Sequence, residues 1–438
     1  MKKFKNIIIG FGKGGKTLAM DLGSRGEDTL IIEKDSKMYG GTCINVACLP
    51  TKNLLHHAEN RKDEESKSYY RKSIQAKKKL IAKLNDANYN KVRGTDNVEV
   101  LTEEASFIDN HTIQAGGQEF FGERIFINTG ARPTLPSIEG LELGNKIYTS
   151  ETLMEEEELP EHLAILGSGT AGLEFANIYR QFGSQVTVIS HSKRENLLAE
   201  EDADVAQMAV EDLEASGIKF LFEAETGSVN LPQISFKDGR TLEADALLVS
   251  TGRHPNIAGL NLENTDIAFN AKKGIEVNDH LQTTVPHIYA LGDVRGGLQH
   301  TYISLDDYRI VRSHLFEKEA YNLSKRQNIP STVFLTPPLS RVGHNEKSAQ
   351  EAGVDYELKT LEVVNIPKAK VLEQTEGLFK TLIDPKTDQI LGATLYGVES
   401  HEIINSVALA MAGDLPAALV HNHIFTHPTM SESFNDIF

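Results

Sequence analysis

Short apolar runs alternate with helix-like patterns through the first half of the chain. Ile7-Ile8-Ile9 and Thr29-Leu30-Ile31-Ile32 are continuous apolar runs, which are typical of strands buried on both faces. The residues between them have the period of a helix, and the same succession recurs from 162–166 to 185–190. The pattern therefore predicts an α/β protein with two Rossmann-like parallel sheets.

A glycine-rich turn follows the first predicted strand. It contains Gly10, Gly12 and Gly15 in the spacing GxGxxG, and Glu33 ends the second strand. Glycines at these positions let the backbone approach a pyrophosphate at a helix N-terminus, and the acid accepts hydrogen bonds from an adenosine ribose. Strand, turn, helix, strand and acid together predict a dinucleotide site in residues 1–148.

A second glycine-rich turn, in the predicted domain 149–257, repeats this spacing at Gly167, Gly169 and Gly172. Ser190 stands as far from Gly167 as Glu33 stands from Gly10. An acid there would repel the 2′-phosphate of NADPH, so its absence favours NADPH over NADH. The cations that could bind the phosphate follow at once: His191, Lys193 and Arg194. The alternative is that they are ordinary surface cations.

Two dinucleotide sites in one chain suggest a flavin and a nicotinamide that exchange a hydride. The segment 246–256 resembles 125–133, which predicts that the chain returns to the first domain over 258–326. A strand there ends in Gly292 and Asp293, where an acid can hydrogen-bond ribityl or pyrophosphate-side groups of a flavin.

The pattern changes in the last third of the chain, from alternating strands and helices to strands followed by helices. Strands are predicted at 332–334, 379–383 and 390–396, and an amphipathic helix at 403–411. This order is typical of an α+β domain, which we place at 327–438.

The two cysteines of the 438-residue chain, Cys43 and Cys48, lie in one short stretch. They can meet if the chain turns into a helix there, and Pro50 fits an early helical position. A helix start also lowers the pKa of a thiol. The pair is then either a redox-active dithiol, or two small buried side chains, or one static bridge.

Composition narrows the class of protein. A formal net charge of −17 argues against nucleic acid as a partner, because phosphate binding needs a basic surface. The N-terminal apolar run is too short for a signal peptide, and no run approaches the length of a membrane helix. We therefore expect a cytoplasmic protein without membrane contacts, in which a lone cysteine pair is catalytic rather than structural.

Histidines in the tail admit two interpretations. His421, His423 and His427 invite a metal site, but no cysteine lies near them and the spacing of the first two suits a helical face poorly. The alternative is an acid–base pair in which Glu432 orients His427, since thiol–disulfide exchange needs a histidine that titrates near neutral pH. We expect no metal.

Taken together, these residues resemble the flavoprotein disulfide reductase family, which includes dihydrolipoamide dehydrogenase, glutathione reductase and mercuric reductase. The resemblance covers nearly the whole chain. Besides the two glycine-rich turns, its motifs are Gly40-Gly41-Thr42-Cys43-x4-Cys48-x-Pro50-x-Lys52, Thr251-Gly252-Arg253-x-Pro255-Asn256, Ala290-x-Gly292-Asp293 and His427-Pro428-Thr429-x-Ser431-Glu432.

The resemblance implies a homodimer with FAD, NADPH and a C-terminal dimerisation domain. Cys48 would be the flavin-side thiol and Cys43 the exchange thiol, with His427 of the partner subunit as acid–base, held by Glu432. Lys52 and Glu174 would pair near the flavin and tune hydride transfer. Residues implied for FAD are Gly10, Gly12, Gly15, Glu33, Gly41, Thr42, Lys52, Thr129, Gly130, Gly292 and Asp293. Residues implied for NADPH are Gly167, Gly169, Gly172, Glu174, Ser190, His191, Lys193, Arg194 and Gly252.

Departures from the family pattern bear on the substrate. Ala47 replaces a common glycine, Thr170 stands where glutathione reductase has a gating tyrosine, and no cysteine pair precedes Phe438. Mercuric reductases use such a terminal pair, so we do not expect Hg(II) reduction. The compact length, Pro50-Thr51-Lys52 and the ending Phe425-Thr426-His427-Pro428-Thr429-Met430-Ser431-Glu432 look more like the bacterial branch that reduces hypothiocyanous acid to thiocyanate. Reduction of a low-molecular-weight disulfide or lipoamide is the alternative, mercuric reduction comes third, and a flavin-binding redox sensor is the alternative outside the enzyme class.

Overall fold

The structure is a computed structural model that describes residues 1–318 and 320–438. Its strands are β1 (Lys2–Ile9), β2 (Thr29–Glu33), β3 (Val98–Thr102), β4 (Ala105–Phe107), β5 (Thr112–Ala115), β6 (Gln118–Ile127), β7 (Ala131–Pro133), β8 (Ile147–Thr149), β9 (His162–Leu166), β10 (Gln185–Ile189), β11 (Ile218–Leu221), β12 (Thr226–Asn230), β13 (Gln233–Phe236), β14 (Thr241–Glu243), β15 (Ala246–Val249), β16 (Arg253–Pro255), β17 (Phe269–Asn270), β18 (Gly274–Ile275), β19 (Ile288–Ala290), β20 (Ser331–Val333), β21 (Leu339–Gly343), β22 (Glu357–Glu362), β23 (Leu378–Ile383) and β24 (Ile390–Tyr396). Its helices are α1 (Lys13–Ser24), α2 (Thr42–Asn45), α3 (Cys48–Glu59), α4 (Ser66–Arg93), α5 (Ser150–Leu153), α6 (Thr170–Phe182), α7 (Ala203–Ala215), α8 (Thr301–Phe316), α9 (Glu346–Ala352), α10 (Pro367–Leu372), α11 (Ser400–Ala412), α12 (Ala417–His421) and α13 (Phe434–Ile437). None of the described helices is both long and apolar enough to cross a membrane.

The first compact unit comprises 1–136, 148–159 and 251–325. Its sheet has the parallel order β3-β2-β1-β6-β19, and β5 and β4 extend it in antiparallel fashion beyond β6. Ile7 and Ile9 pack on one face of this sheet and Ile8 on the other. Burial of each such side chain stabilises the fold by about 1.5–3 kcal/mol, which explains the continuous apolar run.

The second compact unit comprises 137–147, 160–250 and 326–438. It contains the parallel order β11-β10-β9-β15 and a separate antiparallel sheet, β20-β21-β24-β23-β22. The helices of the tail pack their apolar side chains against that second sheet, and Phe438 is buried in the same core. Two Rossmann-like sheets and a C-terminal α+β region confirm the predicted fold class. The predicted domain boundaries stay predictions.

Candidate active site

The two cysteines lie at the starts of two successive helices. Gly41, at φ +81°, precedes α2, in which Cys43 is the second residue, and Cys48 opens α3 after a break at Ala47. The structure thus differs from one continuous helical turn, because the backbone of Ala47 lies outside the helical region at φ −140° and ψ −101°. Each thiol therefore occupies its own helix N-terminus, where a negative charge is favoured.

The reduced dithiol places its negative charge on Cys43. A hydrogen bond from Cys48 lowers the pKa of Cys43 to about 6; burial opposes this, and Thr301 and the cations of Lys16 and Lys52 support it. The pKa of Cys48 is raised by the same hydrogen bond and by burial. The two thiols titrate as a pair, so one proton leaves near pH 6 and the other stays bound at neutral pH.

A cavity of about 430 Å³ opens beside the dithiol in the first unit. Both cysteines line it. Predicted flavin residues that also line it are Gly10, Gly12, Glu33, Gly41, Thr42, Thr129, Gly130 and Asp293. The predicted residues Gly15, Gly292 and Lys52 are outside this lining.

The first glycine turn, which we call the glycine cradle, packs too closely against Asn128 to admit a larger residue. Gly10 has φ +101°, and a Cβ there would lie 2.4 Å from the Asn128 carbonyl oxygen. A Cβ on Gly12 would lie 2.4 Å from Asn128 Oδ1, the atom that accepts a hydrogen bond of 2.9 Å from the Gly15 N–H. The Gly15 N–H therefore anchors the turn to Asn128, whereas Gly10 and Gly12 line the cavity. Sequence reasoning missed Asn128, which directly follows a buried strand.

Glu33 is held in place at the end of β2. Its carboxylate accepts hydrogen bonds from the backbone N–H groups of Phe11 at 3.0 Å and Asp35 at 3.3 Å. Burial raises the pKa of Glu33. A fixed, buried acceptor beside the glycine cradle fits the ribose of a dinucleotide.

Gly292 and Asp293 depend on a buried acid that sequence reasoning also missed. The Gly292 N–H donates to Asp307 Oδ2 at 2.7 Å, and the same oxygen lies 2.9 Å from Arg295 Nε. Asp307 is fully buried on α8. This pairing leaves Asp293 at the cavity wall, where burial raises its pKa.

The third glycine of the second turn approaches the first glycine closely, as in the first turn, where a Cβ on Gly15 would lie 2.8 Å from the Gly10 carbonyl oxygen. A Cβ on Gly172 would lie 2.1 Å from the Gly167 carbonyl oxygen, whereas a Cβ on Gly169 would meet nothing within 4 Å. Gly169 precedes α6, so an open approach leads to a helix N-terminus. Ser190 is buried, and its hydroxyl lies 2.8 Å from that of Ser168. The end of β10 therefore carries a neutral hydroxyl pair.

The cations after Ser190 differ in their surroundings. Arg194 pairs with Glu214, with 2.8 Å between Nη2 and Oε2, while His191 and Lys193 are exposed. An exposed ion pair of this kind contributes little to stability, so a phosphate group can compete with Glu214 for Arg194. Glu174 is buried on α6 and accepts the Phe334 N–H at 3.0 Å. Gly252 lies in the first unit, where its carbonyl accepts the Thr134 N–H at 2.9 Å.

The tail brings His427 and Glu432 together. His427 Nδ1 lies 2.7 Å from one carboxylate oxygen of Glu432 and 3.0 Å from the other. The His427 side chain is 65% exposed. Over the described residues, no cluster of three or more histidines, cysteines or acids has the geometry of a metal site.

Comparison with known families decides the class of protein. The model of the pyridine nucleotide-disulphide oxidoreductase family matches residues 4–307, and the model of that family's dimerisation domain matches residues 329–437. The chain belongs to this family. The predicted flavoprotein disulfide reductase resemblance is thereby confirmed.

Two relatives, one of them also known as a solved structure, show where this oxidoreductase lies within the family. It is 42% identical to the probable pyridine nucleotide-disulfide oxidoreductase RclA of Escherichia coli, over 100% of this chain and 99% of the relative. A solved Cu(II) complex of that HOCl-induced flavoprotein disulfide reductase matches with a TM-score of 0.95, at the same identity and coverage. A dihydrolipoyl dehydrogenase of Bacillus subtilis is 31% identical over 98% of this chain and 96% of its own length.

Family membership confirms that this oxidoreductase uses FAD and NAD(P)H. The glycine cradle, the fixed Glu33 carboxylate and the adjacent dithiol fit FAD in the first unit. The open turn at Gly169 fits the nicotinamide dinucleotide in the second unit. The roles of the individual residues stay predictions.

Proposed function

We propose that this oxidoreductase uses NADPH to reduce hypothiocyanous acid to thiocyanate through Cys43 and Cys48. The observation that carries the proposal is the reduced dithiol itself, in which Cys43 has a pKa of about 6 and Cys48 keeps its proton. A thiolate at neutral pH attacks electrophilic sulfur rapidly. The kinship with an HOCl-induced reductase supports an oxidant as substrate.

In the first step, the Cys43 thiolate attacks the sulfur of hypothiocyanous acid. A Cys43 S–S bond to the thiocyanate group forms, and the S–O bond breaks with its electron pair to give hydroxide. In the second step, Cys48 attacks the Cys43 sulfur, thiocyanate leaves, and the Cys48 proton neutralises the hydroxide to water. One dithiol is oxidised to a disulfide and one hypothiocyanous acid is reduced.

Recovery of the dithiol requires a hydride equivalent from NADPH. FAD, when bound in the cavity, supplies the two-electron path from NADPH to the Cys43–Cys48 disulfide. The disulfide takes up two electrons and one proton, which restores the Cys43 thiolate and the Cys48 thiol. We assign Lys52 and Glu174 to the tuning of hydride transfer.

The Cys48 proton needs a base near the dithiol to carry it to the hydroxide. We assign this role to His427 of the partner subunit in a homodimer, supported by the dimerisation domain and by the pairing of His427 with Glu432. A histidine whose Nδ1 is held by a carboxylate offers Nε2 as the base. Such a dithiol has to stay reduced between turnovers, which suits the cytoplasm.

The neutral end of β10 supports NADPH as the reductant. Ser190 and Ser168 offer hydroxyl groups where an acid would repel a 2′-phosphate. His191, Lys193 and Arg194 provide positive charge next to that position.

The test is steady-state NADPH oxidation by the purified holoenzyme with hypothiocyanous acid, glutathione disulfide, lipoamide, Hg(II) and Cu(II) compared side by side. We expect the highest kcat/KM with hypothiocyanous acid and none for Cys43→Ser. Preference for an organic disulfide or a metal ion would overturn the substrate and leave the dithiol chemistry intact. Cu(II) belongs in the panel because the solved relative was captured with that ion. Reduction of the dithiol without turnover of any oxidant would indicate a redox sensor.

A further inference from the structure

A threonine from a distant part of the chain contacts the dithiol. Thr301 Oγ1 lies 3.8 Å from Cys48 Sγ, which is hydrogen-bond distance for sulfur, although the two residues are separated by 253 positions. Thr301 is the first residue of the 16-residue helix α8 and lines the same cavity as both cysteines. None of the family motifs in the sequence includes this residue.

We propose that the Thr301 hydroxyl is the hydrogen-bond donor that holds the negative charge of the reduced dithiol. A hydroxyl that donates to a thiolate must have a rotatable hydrogen and a sulfur within reach, and Thr301 has both. The proposal rests on the redox role of Cys43 and Cys48 given above, but not on the identity of the oxidant.

The electrostatics of the site agree with this geometry. A hydrogen bond from Thr301 lowers the pKa of both thiols, which is the direction expected of a donor beside the pair. The contact of 3.8 Å to Cys48 Sγ places this donor where negative charge develops when Cys48 loses its proton. A hydrogen bond to that sulfur stabilises the charge that the two thiols share.

Two lysines and a tyrosine of the same subunit also interact with the sulfurs. The positive charges of Lys16 and Lys52 lower the pKa of Cys43, and that of Lys52 lowers the pKa of Cys48. Lys16 donates to Asn88 and to the carbonyl of Gly40. Burial and the nearby Cys48 raise the pKa of Tyr302 to about 12, so that phenol stays neutral.

The experiment measures the charge of each thiol directly. Holoenzyme is reduced anaerobically with NADPH and alkylated with iodoacetamide across a pH series, and mass spectrometry quantifies Cys43 and Cys48 separately. Thr301→Val removes the hydroxyl and keeps the shape, while Thr301→Ser keeps the hydroxyl. Thr360→Val, an exposed change on β22, is the control for a threonine-to-valine substitution as such.

We expect Thr301→Val to raise the midpoint pH of Cys43 alkylation by about one unit, the effect of one hydrogen bond to a charged group. Thr301→Ser and Thr360→Val should keep the wild-type midpoint. With the best oxidant, kcat/KM of Thr301→Val should fall about fivefold at pH 6 and hardly at pH 8, as the thiolate fraction dictates.

An unchanged midpoint in Thr301→Val, or an equal shift in Thr301→Ser, would overturn the proposal. Thr301→Ala, which removes the hydroxyl without adding bulk at the helix start, serves as the second variant if Thr301→Val does not retain flavin. Because alkylation needs no oxidant, its outcome is independent of whether hypothiocyanous acid is the substrate.

Discussion

His427 Nδ1 lies 2.7 Å from Glu432 Oε2, and this contact is built entirely within one short segment of the tail. The Glu432 N–H donates to Thr429 Oγ1 at 3.2 Å, and that hydroxyl donates to the Thr426 carbonyl at 2.7 Å. These hydrogen bonds fix the backbone of Glu432, and its carboxylate holds the proton of the imidazole on Nδ1. Nε2 is then the nitrogen that exchanges protons.

Loss of this pair should reduce turnover without unfolding the protein. We expect His427→Ala to lower kcat at least about 100-fold, because a positioned acid–base group contributes about 10²–10⁴-fold. Glu432→Gln should have a smaller cost, because the amide oxygen can still accept the hydrogen bond from Nδ1. Steady-state kinetics with the best oxidant measures both, with Glu402→Gln, an exposed acid on α11, as the matched control. Wild-type turnover by Glu432→Gln would show that the carboxylate has no catalytic role.

Hybrid dimers test whether His427 acts on the partner's dithiol. Cys43→Ser and His427→Ala homodimers should each be inactive. A heterodimer of the two retains one intact pair out of two, so the purified heterodimer should have about one half of wild-type activity. Differently tagged subunits, co-expressed and purified through both tags, provide the sample. Heterodimers as inactive as the parents would mean that the histidine serves the cysteines of its own chain.

The charge on Cys43 predicts how activity depends on pH. Its pKa is lowered to about 6, so the thiolate is present above pH 6 and is lost as the pH falls through that value. We expect kcat/KM for the oxidant to decrease about tenfold per unit below pH 6 and to be level from pH 7 to 8. An acidic limb centred above pH 8, the ordinary range of a cysteine, would contradict a thiolate on Cys43 at neutral pH.

Ser190 predicts the choice of nicotinamide dinucleotide. Ser190→Glu should raise KM for NADPH at least about tenfold, because a carboxylate there repels the 2′-phosphate and can bind the ribose hydroxyls of NADH. Ser190→Ala, which keeps the site neutral, should retain the preference for NADPH. The ratio of kcat/KM for the two dinucleotides is the measurement, and an unaltered ratio in Ser190→Glu would show that selectivity arises elsewhere.

Replacement of the buried Lys380 should have a large effect on the stability of the protein. It is buried on β23, its ammonium group lies 3.0 Å from carboxylate oxygens of both Asp202 and Asp204, and it also contacts Glu346. Lys380→Met leaves these acids without their cation, so we expect a loss of about 3–5 kcal/mol in the free energy of unfolding. Lys386→Met, which removes the exposed pair with Asp355, should change nothing measurable. Denaturant unfolding followed by circular dichroism compares the two, and equal midpoints would refute the role of Lys380.

The strands and turns could be predicted from local patterns of apolar residues and glycines in the sequence. The run Ile7–Ile9 predicts a strand because every one of its side chains has an apolar environment, and Gly10 predicts a turn because its φ of +101° suits glycine. The residues that support those turns were not predictable in the same way. Asn128 meets Gly15 across 113 positions, and no local periodicity marks such a contact.

The sequence by itself determined the two glycine turns, the dithiol, the acid at Glu33, its absence at Ser190, and the family to which they belong. These features are read from residues close together in the chain, where backbone geometry and short-range chemistry leave few alternatives. Only the tertiary structure decided which thiol is charged and which hydroxyl lies beside the pair. The pKa of Cys43 depends on hydrogen bonds and on burial. These arise from packing between segments far apart in the chain, such as the contact of Thr301 on α8 with Cys48.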